Sequence, residues 1–165
     1  MLILILETSA PQGCLVLAEN DKVLASTALL GGPALSRDLA REVQHLLSDQ
    51  IPDLVAVGTG PGSYTGIRVG VALAKALAYG WKVPCLGFCS LKAFGPPPIL
   101  MDARSGGIYA WLGERALLLP RTDPRLEGLS LCTSAPDPTH LAHLIWGQFT
   151  EEGAPPFHLD YGIAP

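Results

Sequence analysis

Leu54-Val-Ala-Val-Gly58, running into Thr59-Gly-Pro-Gly-Ser-Tyr-Thr-Gly-Ile-Arg-Val-Gly70, is the stretch on which the fold turns. Its first residues are a short apolar run without polar alternation, as expected of a strand covered on both faces. The glycines break that strand, and helical spacing resumes over about Ser63 to Tyr79. A strand, a glycine loop and a helix in this order can aim backbone N–H groups and the positive end of the helix dipole at an anion. The same order serves equally as a tight turn whose glycines let the helix lie close to a neighbour. No Gly-Lys-Ser/Thr closes the loop and the spacing misses Gly-x-Gly-x-x-Gly, so neither phosphate-loop signature is met.

The helix after the loop is apolar nearly all round. Ile67, Val71, Ala74 and Ala78 form one stripe; Gly66, Val69, Gly70, Leu73 and Leu77 form another. Arg68 and Lys75, seven residues apart, share a narrow polar face. A helix of this kind is buried on more than one side, and its own sheet covers only one. Two expectations follow: the second stripe packs on a partner chain, or a neighbouring helix of the same lobe covers it.

Working outward, Leu2–Leu6, Cys14–Ala18 and Val23–Leu29 read as three strands, with a reversal at Asn20-Asp21. A first helix is expected with Ser36 as its cap and Asp38 in its first turn. Leu39, Val43, Leu46 and Leu47 line one side of it, and Ile51-Pro52 ends it. Val83–Phe88 is a fifth strand. The order β-β-β-α-β-α-β predicts an α/β fold with a mixed sheet, as in the ribonuclease-H-like half of an actin-like fold. Pro96-Pro97-Pro98 divides the chain into a lobe at 1–95 and a shortened second lobe at 96–165. In the latter, Ile99–Met101, Ile108–Trp111 and Leu117–Leu119 read as strands, 120–138 as a loop and Thr139–Phe149 as a helix.

The formal charge is -4, with seven basic and seven acidic side chains in residues 1–100 and four against eight in residues 101–165. Without a basic run the chain is a poor candidate for unaided nucleic-acid binding. The apolar start at Met1–Leu6 lacks a basic lead-in and stops at Glu7, unlike a signal peptide, and no stretch is long enough to span a membrane. Cys14, Cys85, Cys89 and Cys132 have no CxxC spacing, so reduced thiols in a cytoplasmic protein are expected.

Leu4-Ile-Leu-Glu-Thr-Ser9, Gly60-Pro-Gly-Ser-Tyr-Thr-Gly-Ile-Arg-Val-Gly70 and Met101-Asp-Ala-Arg104 with Ile108-Tyr109 together resemble the TsaB (YeaZ) family. Leu159-Asp-Tyr161 is similar to that family's C-terminal tyrosine segment. The resemblance implies an actin-like fold of two lobes and no catalysis of its own. It further implies pairing with a catalytic paralogue, TsaD, and with the ATPase TsaE, in transferring threonylcarbamoyl to the anticodon-adjacent adenosine of tRNAs reading codons that begin with A. By the same resemblance the first lobe's helices dock on TsaD, some members also self-associate into a homodimer through that face, and tRNA is met only through the complex. The residues expected on that face are Gly62, Tyr64, Gly66, Arg68, Val69, Gly70, Leu73 and Leu77; Glu7, Thr8 and Ser9 are the candidates for any cofactor contact, with no cofactor or metal expected. This chain departs from the family pattern in Glu7, where Asp is usual, in Leu35-Ser36, where His-Ser is usual, and in a shorter second lobe.

Two readings from other classes compete. An ATP-binding phosphotransferase of actin-like fold needs an early glycine hairpin, whereas Glu7-Thr-Ser-Ala-Pro-Gln-Gly13 holds a proline there, and Asp102 reads more simply as a turn residue bonding its own backbone or pairing with Arg104. A self-standing peptidase needs a base beside its nucleophile; Ser9, Ser63, Cys85 and Cys89 have no histidine in a recognisable partner motif. His140 and His143 lie one turn apart, but two histidines alone do not make a metal site.

Overall fold

The computed structural model describes residues 1–104 and 106–157, so the Leu159-Asp-Tyr161 segment lies outside the described residues. The apolar runs form strands β1 (Leu2–Glu7), β2 (Gln12–Glu19) and β3 (Lys22–Leu30), then helix α1 (Leu35–Leu47), strand β4 (Leu54–Gly58), helix α2 (Tyr64–Trp81) and strand β5 (Cys85–Phe88). These five strands make one sheet in the order β3-β2-β1-β4-β5. β1 pairs antiparallel with β2, and β2 with β3; β1 and β4 run parallel, as do β4 and β5. The antiparallel meander followed by helical crossovers to parallel strands is the expected mixed-sheet arrangement.

Burial follows strand position. β1 and β4 sit centrally with helices on both faces, and Ile3–Leu6 and Leu54–Val57 are fully inaccessible, which is why neither shows alternation. β3 is an edge strand, and its residues alternate between exposed and half-buried. α1 and α2 cover one face of the sheet through Leu39, Val43, Ile67 and Val71; the other face is covered by α3 (Pro138–Glu152) through Leu141, Ala142 and Ile145. Each buried Leu or Ile contributes roughly 1.5–3 kcal/mol, so α3 is a stable layer of the first sheet although it is the last helix in sequence.

Strands β6 (Ile99–Asp102), β7 (Gly107–Trp111) and β8 (Ala116–Pro120) form a separate antiparallel sheet. Residues after Pro96 therefore serve two units: a small three-stranded sheet, and the back layer of the large one. A short 3-10 turn, Ser90–Phe94, connects the two sheets.

Three boundaries differ from expectation. Ser36 does not cap α1; Ala34 occupies that position without a side-chain bond, and the Ser36 hydroxyl donates to the Pro33 carbonyl. The Leu35 N–H donates to the Gly32 carbonyl and the Arg37 and Asp38 N–H groups to the Ala34 carbonyl, so the helix starts before Ser36 and the Asp38 N–H is already bonded. α1 ends at Leu47, before Ile51-Pro52, because Ser48 and Asp49 take left-handed conformations. β5 starts at Cys85 rather than Val83, since the Val83 N–H is used to close α2 on the Ala78 carbonyl.

Candidate functional site: the two faces of the second helix

α2 begins where sequence placed it. Ser63 is its cap, with the side-chain oxygen accepting from the Gly66 N–H at 3.3 Å and the Ser63 N–H donating to the Ser9 carbonyl at 2.6 Å. The Thr8 hydroxyl donates to the Gly66 carbonyl at 2.8 Å. The β1–β2 turn is thus clasped to the first turns of α2.

That clasp explains the glycines. A Cβ at Gly66 would overlap the Thr8 carbonyl oxygen, and one at Gly70 would overlap the Thr8 hydroxyl. Both positions are buried. They admit the chain's own β1–β2 turn, not a second molecule, and two of the eight residues expected on a docking face are therefore interior. Gly62 is likewise pressed against Ser9, with the Ser9 carbonyl oxygen 2.6 Å from where its Cβ would sit. Val69, Leu73 and Leu77 are half-buried and pack into the cluster that includes Leu39, Val43 and Leu47 of α1. The second stripe is thus partly covered within the same lobe, and its Val69, Leu73 and Leu77 stay half exposed.

Of the expected face, Tyr64 and Arg68 are exposed. The Arg68 guanidinium donates to the Tyr64 hydroxyl at 2.6 Å and lies 5.3 Å from its ring centroid. They continue into a surface that no sequence motif marks: Thr65, Ala72, Ala76 and Tyr79, the last 88% exposed. Helical phasing could have found them, since they lie opposite Ile67, Gly70, Ala74 and Ala78 at 100° per residue. α2 has no acidic residue, and its cations are Arg68 and Lys75, with Lys75 Nζ 4.8 Å from the Phe157 ring centroid.

Glu7, Thr8 and Ser9 are drawn inward, with exposures of 0%, 2% and 2%. Glu7 Oε1 accepts from the Ser9 N–H at 2.7 Å. Burial pushes the Glu7 carboxyl above its ordinary range, against smaller lowering by hydrogen bonds from Ser9, Ser90 and Thr8. Beside them, between the two sheets, opens a cleft of about 510 Å³ walled by Ser9, Ser63, Tyr64, Met101, Arg104 and Tyr109 among others. Asp102 bonds the Arg104 N–H at 2.8 Å, as a turn residue should, but its ionic partner is Arg121 at 2.6 Å rather than the Arg104 side chain. The β6–β7–β8 meander brings residue 121 beside residue 102.

His140 and His143 do not converge. The His140 ring contacts the Lys92 carbonyl at 2.8 Å, while His143 faces Asp21 at 3.8 Å. Among the described residues no group of three or more His, Cys, Asp or Glu side chains is placed to hold a metal ion. Burial pushes the Cys14 thiol up to about 12 and the Cys85 thiol to about 11. No helix among the described residues is long and apolar enough to cross a membrane.

Comparison with known proteins gives this geometry a context. The family model for TsaD, the tRNA N6-adenosine threonylcarbamoyltransferase, matches residues 27–109. The tRNA threonylcarbamoyladenosine biosynthesis protein TsaB of Escherichia coli is 31% identical over 158 residues, covering 79% of this chain and 68% of that protein. Its Bacillus subtilis counterpart is 33% identical over 125 residues, covering 68% of this chain and 55% of that protein. Among solved structures, YeaZ from Pseudomonas aeruginosa superposes with a TM-score of 0.69 at 20% identity, over 95% of this chain and 99% of that one; at that identity the likeness concerns the fold. Other relatives extend well beyond the match: the chain spans 17% of one from Mycobacterium leprae and 29% of one from Mycobacterium tuberculosis.

Proposed function

The chain belongs to the TsaB (YeaZ) family, and on that premise we propose that it is the non-catalytic scaffold of the assembly that transfers threonylcarbamoyl to the anticodon-adjacent adenosine of tRNA. Its partner in this reading is a TsaD-like catalytic subunit, with a TsaE-like ATPase joining the same assembly, and with tRNA meeting this chain only through them. Self-association through the same face, as in some members of the family, is the other use this surface could have in the free protein.

The observation that carries the reading is the outward face of α2. Ala72, Ala76 and Tyr79 are exposed on a helix with no acidic residue, flanked by Arg68 and Lys75. Small side chains let another helix approach closely, and an exposed tyrosine supplies an anchor of the kind that dominates interface energetics. An eighteen-residue helix at 1.5 Å per residue is about 27 Å long. A strip roughly 10 Å wide then offers about 300 Å², against the roughly 800 Å² per partner of a standard interface. The contact must therefore extend over α1 or the loop before α2.

The non-catalytic part of the reading rests on side chains otherwise engaged. Glu7 is enclosed, and the two histidines of α3 are turned to separate partners. Docking then acts by favouring the partner's active arrangement, an effect as large as the difference in affinity for its two states. The deciding experiment is threonylcarbamoyl transfer to tRNA, reconstituted from the TsaD-like subunit, the ATPase and an activated threonylcarbamoyl donor. Activity is expected only with this chain present, and lost again with Ala76→Glu. Undiminished activity without the chain would overturn the reading.

A further inference from the structure

Glu7 stands where three segments meet. It is the last residue of β1, is fully inaccessible, and its Oε2 has no hydrogen-bond partner in the structure; neither has the Ser9 hydroxyl. Over the Cα of Gly58, at the end of β4, Glu7 Oε2 and Ser90 Oγ crowd the same space: a Cβ there would overlap Oε2 and lie 2.6 Å from Ser90 Oγ. Ser90 in turn grips the glycine loop twice. Its N–H donates to the Gly60 carbonyl at 2.8 Å, and its Oγ accepts from the Gly60 N–H at 3.1 Å. Ser90 opens the 3-10 turn that leads to the small sheet, while Ser9, next to Glu7, holds the start of α2.

Among the described residues no cation faces this carboxyl. β2 presents Cys14, its register partner, whose thiol is neutral because burial pushes it up to about 12. From α3, Asp137 bears on that same thiol. β4 holds no titratable residue. Lys92 of the 90–94 turn has its Nζ 4.7 Å from the Trp111 ring centroid, and Arg68 and Lys75 of α2 are on its exposed side. A buried carboxylate that has the Ser9 N–H and only neutral serine hydroxyls beside it, without a counter-ion, is far costlier than its neutral form. Protonated, the same group becomes a donor and turns an orphan acceptor into a bond toward the serine hydroxyls.

We propose that Glu7 keeps its proton in the folded protein and that the protonated side chain locks together the β1–β2 turn, the glycine loop and the 90–94 turn, so that ionisation loosens the joint between the two sheets. The lock is independent of any partner. Burial, which raises the carboxyl above its ordinary range, agrees with the geometry.

Isotope-edited infrared spectroscopy of the glutamate carboxyls tests it on the full chain. At neutral pH the wild type shows a protonated-carboxyl carbonyl band that Glu7→Gln lacks. As pH is raised the band disappears. Over the same interval amide exchange in 58–62 and 90–94, corrected for base catalysis, rises about tenfold or more in the wild type and stays flat in Glu7→Gln. No such band at neutral pH overturns the proposal, and so does a band that is lost with no change in exchange. Should Glu7→Gln fail to fold, coincidence of the two titrations in the wild type decides the matter alone.

Discussion

α1 and α2 lie side by side on the same face of the same sheet and meet water in opposite ways. α1 turns Leu35, Leu39, Val43 and Leu47 inward and shows solvent Arg37, Asp38, Arg41 and Glu42, which pair with one another at 3.0–3.3 Å. α2 turns glycines and short apolar residues inward and shows Ala72, Ala76 and Tyr79. A helix finished with its own ion pairs offers a partner little beyond a polar rim. One that leaves alanines and a tyrosine uncovered is shaped for contact. The difference separates two kinds of apolar position in α2: those covered by the chain itself, and those left exposed.

The sharpest break of that comparison is to treat the inner glycines as surface. Gly66→Ala places a methyl group into the Thr8 carbonyl and is expected to destabilise the fold by about 3 kcal/mol or more, since overpacking against backbone has little room to relax. Gly70→Ala meets the Thr8 side chain, which can turn aside, and is expected to cost less, about 1–3 kcal/mol. Denaturant unfolding measures this; a loss under about 0.5 kcal/mol would mean that the β1–β2 turn is not clasped as described. On the outer face the expectation reverses. Ala76→Glu and Tyr79→Ala leave the unfolding midpoint unchanged but weaken association with a TsaD-like subunit by about tenfold or more, as for a central anchor, measured by calorimetric titration. Equal loss from both faces would erase the distinction.

Glu7 supplies the next test. Its folded value lies above the unfolded value near 4.5, so its contribution to stability is fully present below the unfolded value and is lost as pH rises through the folded one. Glu7→Gln should therefore flatten the pH dependence, and its stability relative to wild type should improve steadily as pH rises above that of acid solution. Unfolding curves taken across the pH range show whether the two lines converge. Thr8→Val removes the hydroxyl bond to Gly66 while keeping shape, at a cost of about 1 kcal/mol. Smallest of all, Arg41→Gln on α1 should not move the midpoint measurably, because exposed pairs contribute little and salt screens them.

Much of this was legible in the residues. The element order, the glycine loop opening a helix at Ser63 and the inward stripe of Ile67, Val71, Ala74 and Ala78 all follow from local periodicity and turn chemistry, which act over a few residues and leave their pattern in the chain. The hints that Gly66 and Gly70 lay on an outer face failed for the converse reason. A glycine marks close approach without saying what approaches, and the answer, Thr8, is 58 residues away from Gly66 in sequence. α3 returning to the back of the first sheet, and Glu7 closing on Ser90, are of the same kind. Sequence by itself determined which segments are helix and strand and that one helix is apolar beyond the needs of its sheet. Only the tertiary structure decided which of that helix's faces the chain covers for itself, because burial depends on long-range neighbours that no local pattern names.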